Sequence, residues 1–101
     1  DNDDNTSSSL MGELINNQYI FLKYLGRGAF STAWLVYDLS NFSIKVAKHH
    51  TEKNISQSDN EIKILSLLKN EDNPNIIRYY EDFYYEKYGD KNKVIIFMLS
   101  A

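Results

Sequence analysis

Apolar residues fall in short clusters separated by polar turns, and the spacing inside each cluster indicates its element. Tyr19 to Leu25 (YIFLKYL), Thr32 to Tyr37 (TAWLVY) and Phe42 to Lys48 (FSIKVAK) are aromatic and β-branched runs of strand length. Glycines separate the first two, and Asp38, Ser40 and Asn41 supply turn chemistry before the third. Three such runs at hairpin distance predict an antiparallel meander. His49 to Asn60 (HHTEKNISQSDN) is polar and without period, which predicts a loop or a frayed helix entry. In EIKILSLLKN, from Glu61 to Asn70, Ile62, Leu65 and Leu68 share one face at helical spacing, widened by Ile64 and Leu67. Asn73, Pro74 and Asn75 end that helix. Two further extended runs, Ile76 to Tyr85 and Lys93 to Leu99, are separated by the turn residues Gly89, Asp90 and Asn92. The expected fold class is therefore α+β: a five-stranded antiparallel sheet with one main helix.

The opening DNDDNTSSS has nothing to bury and cannot offset the entropy of ordering it. Residues 1–11 are expected to form a disordered acidic, Ser-rich tail, and residues 12–101 the folded domain. A chain of 101 residues makes one thin-cored domain or a piece of a larger one. It does not begin with Met and stops at Ala101 directly after an apolar run, so a fragment is expected. With 11 basic and 14 acidic residues the formal charge is −3, which argues against binding a nucleic-acid backbone. The absence of cysteine excludes disulfides and thiolate metal sites, and fits an intracellular setting, cytoplasm or nucleus. The longest strongly apolar run, VIIFML, is too short to span a bilayer, so no membrane partner is expected.

Two features carry candidate chemistry. Gly26 and Gly28 sit one residue apart in LGRGAFSTAWLVYD, where backbone amides could approach phosphate closely, or where the chain could simply turn. A dinucleotide-binding G-x-G-x-x-G must lead from a strand into a helix; this loop leads into another strand, which excludes that reading. The second feature is Lys45, flanked by Ile44 and Val46 in an otherwise apolar strand. A lysine aimed into a core costs several kcal/mol unless an anion meets it. Glu61, sixteen residues on at the start of the helix, is a candidate partner. The alternatives are that Lys45 faces solvent and that Glu61 closes a capping box with Ser58.

In this order, LGRGAFSTAWLVYD, SIKVAK, a helix bearing Glu61 and NPNIIRYYEDF, the chain resembles the small lobe of a eukaryotic protein kinase. Within that family GELINNQYIFLKYLGRGAFSTAWLVYD, from Gly12 to Asp38, is most similar to the SR-protein-specific serine/threonine kinases, including serine in place of the third glycine. The resemblance covers Gly12 to Ala101, truncated at the hinge. It implies that Leu25, Gly26, Arg27, Gly28, Ala29, Phe30 and Ser31 fold over the nucleotide phosphates, with Phe30 at the tip. It implies that Lys45 holds the α and β phosphates, steered by Glu61, and that Leu25, Ala33 and Ser43 roof the adenine. Phe97 would stand at the back of the pocket, and Met98, Leu99 and Ser100 would begin the hinge. The implied cofactors are ATP and Mg2+, the latter held by a second lobe. The implied partner is a protein substrate, with Arg/Ser-rich proteins the class the subfamily suggests, whose serine hydroxyls receive the γ-phosphoryl group. Ala33 replaces the family's usual valine, Ser43 its alanine, and Met98 the acidic residue usual in the subfamily. These departures weaken the expected adenine contacts.

Two other readings come from the residues alone. A kinase-like lobe could act as a noncatalytic interaction module. The tyrosines at 79, 80, 84, 85 and 88 could form a stacking platform for single-stranded RNA. The adjacent His49 and His50 make a poor metal pair, because neighbours in an extended chain point in opposite directions, and a solvated loop is expected there.

Overall fold

The computed structural model describes residues 10–56 and 77–99. Six strands follow one another: β1 (Leu14–Ile15), β2 (Tyr19–Arg27), β3 (Thr32–Asp38), β4 (Ser43–His50), β5 (Ile77–Lys87) and β6 (Asp90–Leu99), with one 3-10 turn at Glu52–Asn54. All pairings are antiparallel, in the order β1-β2-β3-β4-β6-β5. The expected sheet of five strands becomes six because β1, only two residues long, pairs Leu14 with Ile20 and Ile15 with Tyr19. So short a strand leaves no alternation to recognise. The expected helix at 61–70, its terminator at 73–75 and Glu61 lie outside the described residues.

The sheet curls over one of its faces. Tyr19 of β2 stacks on Phe83 of β5 with ring centroids 5.8 Å apart, although β3, β4 and β6 lie between those strands in the sheet. This inner face gathers Ile15, Tyr19, Phe21, Trp34, Val36, Ala47, Val94 and Ile96. Trp34 is its centre, with Phe21 at 5.6 Å and Tyr24 at 5.4 Å, both tilted toward its ring as aromatic quadrupoles prefer. Leu10 is buried in the same cluster.

Tyr88 and Gly89, at φ 54° and 83°, form a two-residue hairpin in which both backbones are left-handed, the twist that suits the flanking strands. Asp90 and Asn92, expected in this turn, lie inside β6. Two irregularities in β2, between Phe21 and Lys23 and between Tyr24 and Gly26, leave Leu22 and Leu25 as extra residues, both exposed. His49 and His50 extend β4 and are buried, which corrects the solvated loop expected for them. They do point to opposite faces, because His49 pairs with Val94 and His50 with Lys93.

Candidate nucleotide site

The glycine segment forms the tip of the β2–β3 hairpin. Arg27 and Thr32 are its last pair, and the Gly28 amide donates to the Ser31 carbonyl at 2.7 Å. Arg27, Gly28, Ala29 and Phe30 are exposed there. A methyl group added at Gly28 would meet only Ser31, at 3.6 Å, and Gly28 lacks the positive φ that favours glycine. Neither crowding nor backbone shape therefore requires glycine at 28, and the room above the loop suits a group approaching from outside.

Lys45 lies in mid-strand, 3% exposed, with its ammonium on the inner face. It donates to Asp38 Oδ2 at 2.9 Å, to Asn41 Oδ1 at 3.1 Å and to Ser43 Oγ at 2.7 Å, and lies 4.6 Å from the centroid of Tyr80. An ammonium has three donors, and these contacts use all of them. The buried lysine thus meets an anion within its own hairpin. Asp38 is equally committed: it also accepts from the Ser40 amide at 2.9 Å, the Ser40 hydroxyl at 2.7 Å and Gln18 Nε2 at 3.1 Å. Burial pushes its carboxyl upward, but the bonds from Lys45, Ser40 and Gln18 outweigh it and hold the group down at about 2. Sequence reading missed Asp38 as a partner; its only signal is a carboxylate at a strand end, seven residues before a lysine across the turn.

Register decides which of the expected site residues share a face. Val36 pairs with Lys45, Asp38 with Ser43 and Lys45 with Met98, so Ser43, Lys45 and Met98 belong to the inner face. Ala33 pairs with Lys48 and Val46 with Phe97, so Ala33 and Phe97 belong to the outer face, as does Leu99 through two further residues of alternation. Leu25 is the extra residue of an irregular turn of β2 and is exposed. The structure therefore brings Ala33 and Phe97 onto one surface and sets Ser43 and Lys45 on the other. On the outer face it is Lys48 that lies near Phe97, its Nζ 6.0 Å from the ring centroid.

A second polar contact ties β4 to the β5–β6 hairpin near its turn. His49 Nε2 and the Tyr85 hydroxyl are 2.7 Å apart. Burial, aided by His50 and Lys87, holds the His49 imidazole down at about 4, so it is neutral at physiological pH. Burial and Glu13 push the Tyr85 phenol up. A cavity of about 210 Å3 beside this pair and another of about 490 Å3 at Thr51–Lys53 contain no residue of the glycine hairpin. The tyrosine platform does not assemble. Tyr80 and Tyr85 pack on the inner face, Tyr79 bonds to Asp82, Tyr84 is flanked by Lys91 and Lys93, and Tyr88 stands exposed at the turn with Lys87 Nζ 5.5 Å from its ring centroid. Among the described residues, no group of three His, Asp or Glu side chains could hold a metal ion, and no helix is long and apolar enough to cross a membrane.

No protein-family model matches the chain. Among solved structures it is similar to the crystal structure of the PF14_0431 kinase domain, with a TM-score of 0.72 and 26% sequence identity over 86% of this chain. The match covers 26% of that kinase chain, so the present chain spans about a quarter of its length. The curled antiparallel sheet with its glycine hairpin is a kinase-like fold.

Proposed function

We propose that this chain is the ATP-binding small lobe of a serine/threonine protein kinase of the SR-protein-specific type. The likeness of the whole sheet to a kinase domain carries this reading, and the glycine hairpin supports it, since its tip is open to a ligand and Gly28 has no internal reason to be glycine. In this reading the exposed hairpin tip, residues 28–31, covers the phosphates, Ala33 and Phe97 contact the adenine, and Leu99 begins the hinge. Lys45 is the phosphate-holding cation and Glu61 its steering carboxylate. Bound Mg-ATP would supply the transferable γ-phosphoryl group and the charge neutralisation that accompanies it. The acceptors are serine hydroxyls of proteins, with Arg/Ser-rich segments the favoured class by subfamily resemblance. The 101 residues contain neither a His-Arg-Asp nor an Asp-Phe-Gly sequence, so phosphoryl transfer by this chain alone is expected to be negligible. Titration with a fluorescent ATP analogue and Mg2+ tests the reading: saturable binding lost in Lys45→Met supports it, and no binding by the wild-type chain removes it.

One observation favours a second reading. Asp38, Asn41 and Ser43 already consume every donor of Lys45, which suits a lobe whose lysine is structural and whose role is to bind another protein. In that case the titration is flat, and Lys45→Met changes stability alone.

A further inference from the structure

An antiparallel sheet with one face on its core normally shows water a polar second face. The outer face breaks that pattern along one row. Register pairs Leu14 with Ile20, Ile20 with Tyr37 and Tyr37 with Ile44, so four apolar residues stand side by side across β1, β2, β3 and β4. Their chain neighbours Ile15, Tyr19, Asp38 and Lys45 are buried on the inner face, whereas Leu14 is 51% and Ile44 40% exposed. At strand spacing the row is about 14 Å long. Phe42 stands at its end in the β3–β4 turn, 75% exposed and with φ 57°, a left-handed backbone that aromatic residues avoid. The turn is inside out. Its polar groups bond to one another, Ser40 donating to Asp38, Ser43 to Asn41 and Lys45 to both Asp38 and Asn41, while Leu39 and Phe42 meet solvent. An exposed aromatic ring held in a costly conformation by a bonded turn is a preorganised anchor for a partner.

We propose that this row and its anchor form the interface of a two-fold dimer of this chain. A second copy fits because the patch holds both halves of a contact: a two-fold axis places residue i on j and j on i, so Phe42 of each copy lies on the row of the other. Charge points the same way. The chain carries a formal charge of −3, so two copies repel each other in general, but the row itself is uncharged and the ionic groups of the turn, Asp38 and Lys45, are buried and neutralise each other. A membrane surface or a nucleic acid calls for basic residues, which the row lacks. Two Phe42 rings bury about 150–250 Å2 each, and with the two rows between them the interface falls near the roughly 1,000 Å2 at which specific contacts begin. The dimer is therefore a weak one. It is also separate from the nucleotide reading, since Ile44 lies about 13 Å along β4 from Lys48, the neighbour of Ala33.

Sedimentation equilibrium of the 101-residue chain, from about 10 μM to about 1 mM, is expected to show the average mass rising from one chain toward two, as a small interface dictates. Phe42→Ser and Ile44→Lys should each weaken association by about tenfold or more. Phe42→Gly should weaken it equally while the chain unfolds at no lower temperature, because glycine suits the left-handed backbone. Tyr88→Ser removes an aromatic residue 92% exposed at the other hairpin and should leave association unchanged. A single chain at every concentration overturns the proposal and leaves the row to a different protein. Mass rising past two chains overturns it as well, since a two-fold interface closes. A dimer untouched by Phe42→Gly overturns it by placing the interface elsewhere, and a dimer weakened as much by Tyr88→Ser overturns it by showing that association is unspecific.

Discussion

The two long hairpins of the sheet are built on opposite principles. The β5–β6 hairpin ends in two residues, Tyr88 and Gly89, both left-handed, with unbroken pairing from Glu81 to Lys87. The β2–β3 hairpin ends in four, residues 28–31, and pairing below them is interrupted twice. At 89 the left-handed backbone favours glycine; at 28 nothing inside the chain does. Their polar contacts differ as well: an ionic cluster at Asp38 closes the base of the β2–β3 hairpin, and a neutral contact between His49 and Tyr85 holds the β5–β6 hairpin near its turn. Glycine as such says little about function. Glycine that the fold does not need is the informative kind.

The comparison can be broken most severely at Trp34, which anchors the β2–β3 hairpin from below. Trp34→Ala should cost about 3–5 kcal/mol in denaturant unfolding, and a loss under 1 kcal/mol would show that the inner face is not the core. Asp38→Ala, which leaves the Lys45 ammonium buried without its anion, should also cost about 3–5 kcal/mol. Asp38→Ala with Lys45→Met in the same chain should recover much of that loss.

The polar contacts of the two hairpins should respond to acid in different windows. His49 is held neutral, with its folded value near 4 against an ordinary 6.5. Its contribution is complete above pH 6.5 and is lost as the pH falls toward 4, because the unfolded chain takes up the proton first; the loss is on the order of 3 kcal/mol. Asp38 is depressed to about 2, so its contribution is complete above its ordinary value near 4 and is lost between there and pH 2. Thermal unfolding from pH 7 to pH 2 should therefore fall in two steps, with the upper step absent in His49→Phe. A single step below pH 4 would contradict the burial of His49.

At the loop tips the effects are smaller and more discriminating. Gly89→Val should cost about 1–2 kcal/mol, since a β-branched residue resists the left-handed backbone, while Gly89→Asn should be nearly neutral. Gly28→Ala should change stability by under about 0.5 kcal/mol, as surface substitutions usually do, yet weaken the binding of the ATP analogue. Equal stability losses at 28 and 89 would erase the distinction between the hairpins.

Much of the fold was legible because strand residues announce themselves locally. The runs beginning at Tyr19 and Thr32 start β2 and β3, and β4 begins one residue inside the run from Phe42. Asp38 and Ser40 form the turn their side chains suggest. The ends of β4 and β5 were not legible, because His49, His50 and Glu86 are polar and earn their places in strands from neighbours distant in sequence. The site was less legible than the fold. That Lys45 needs an anion followed from its apolar flanks. Which anion, and on which face, depended on a register set by two irregularities in β2 and by the length of the 39–42 turn, and neither leaves a periodic trace.

The curl that stacks Tyr19 on Phe83 also brings Glu13 against Lys87, with their charged atoms 2.7 Å apart. These contacts join the two ends of the sheet across every strand between them, so they are expected to form late and to be absent from the folding transition state. Loosening this clasp, by Lys87→Met for example, should leave the folding rate unchanged and hasten unfolding, so that the chain's lifetime rather than its assembly depends on where Glu13 meets the last hairpin.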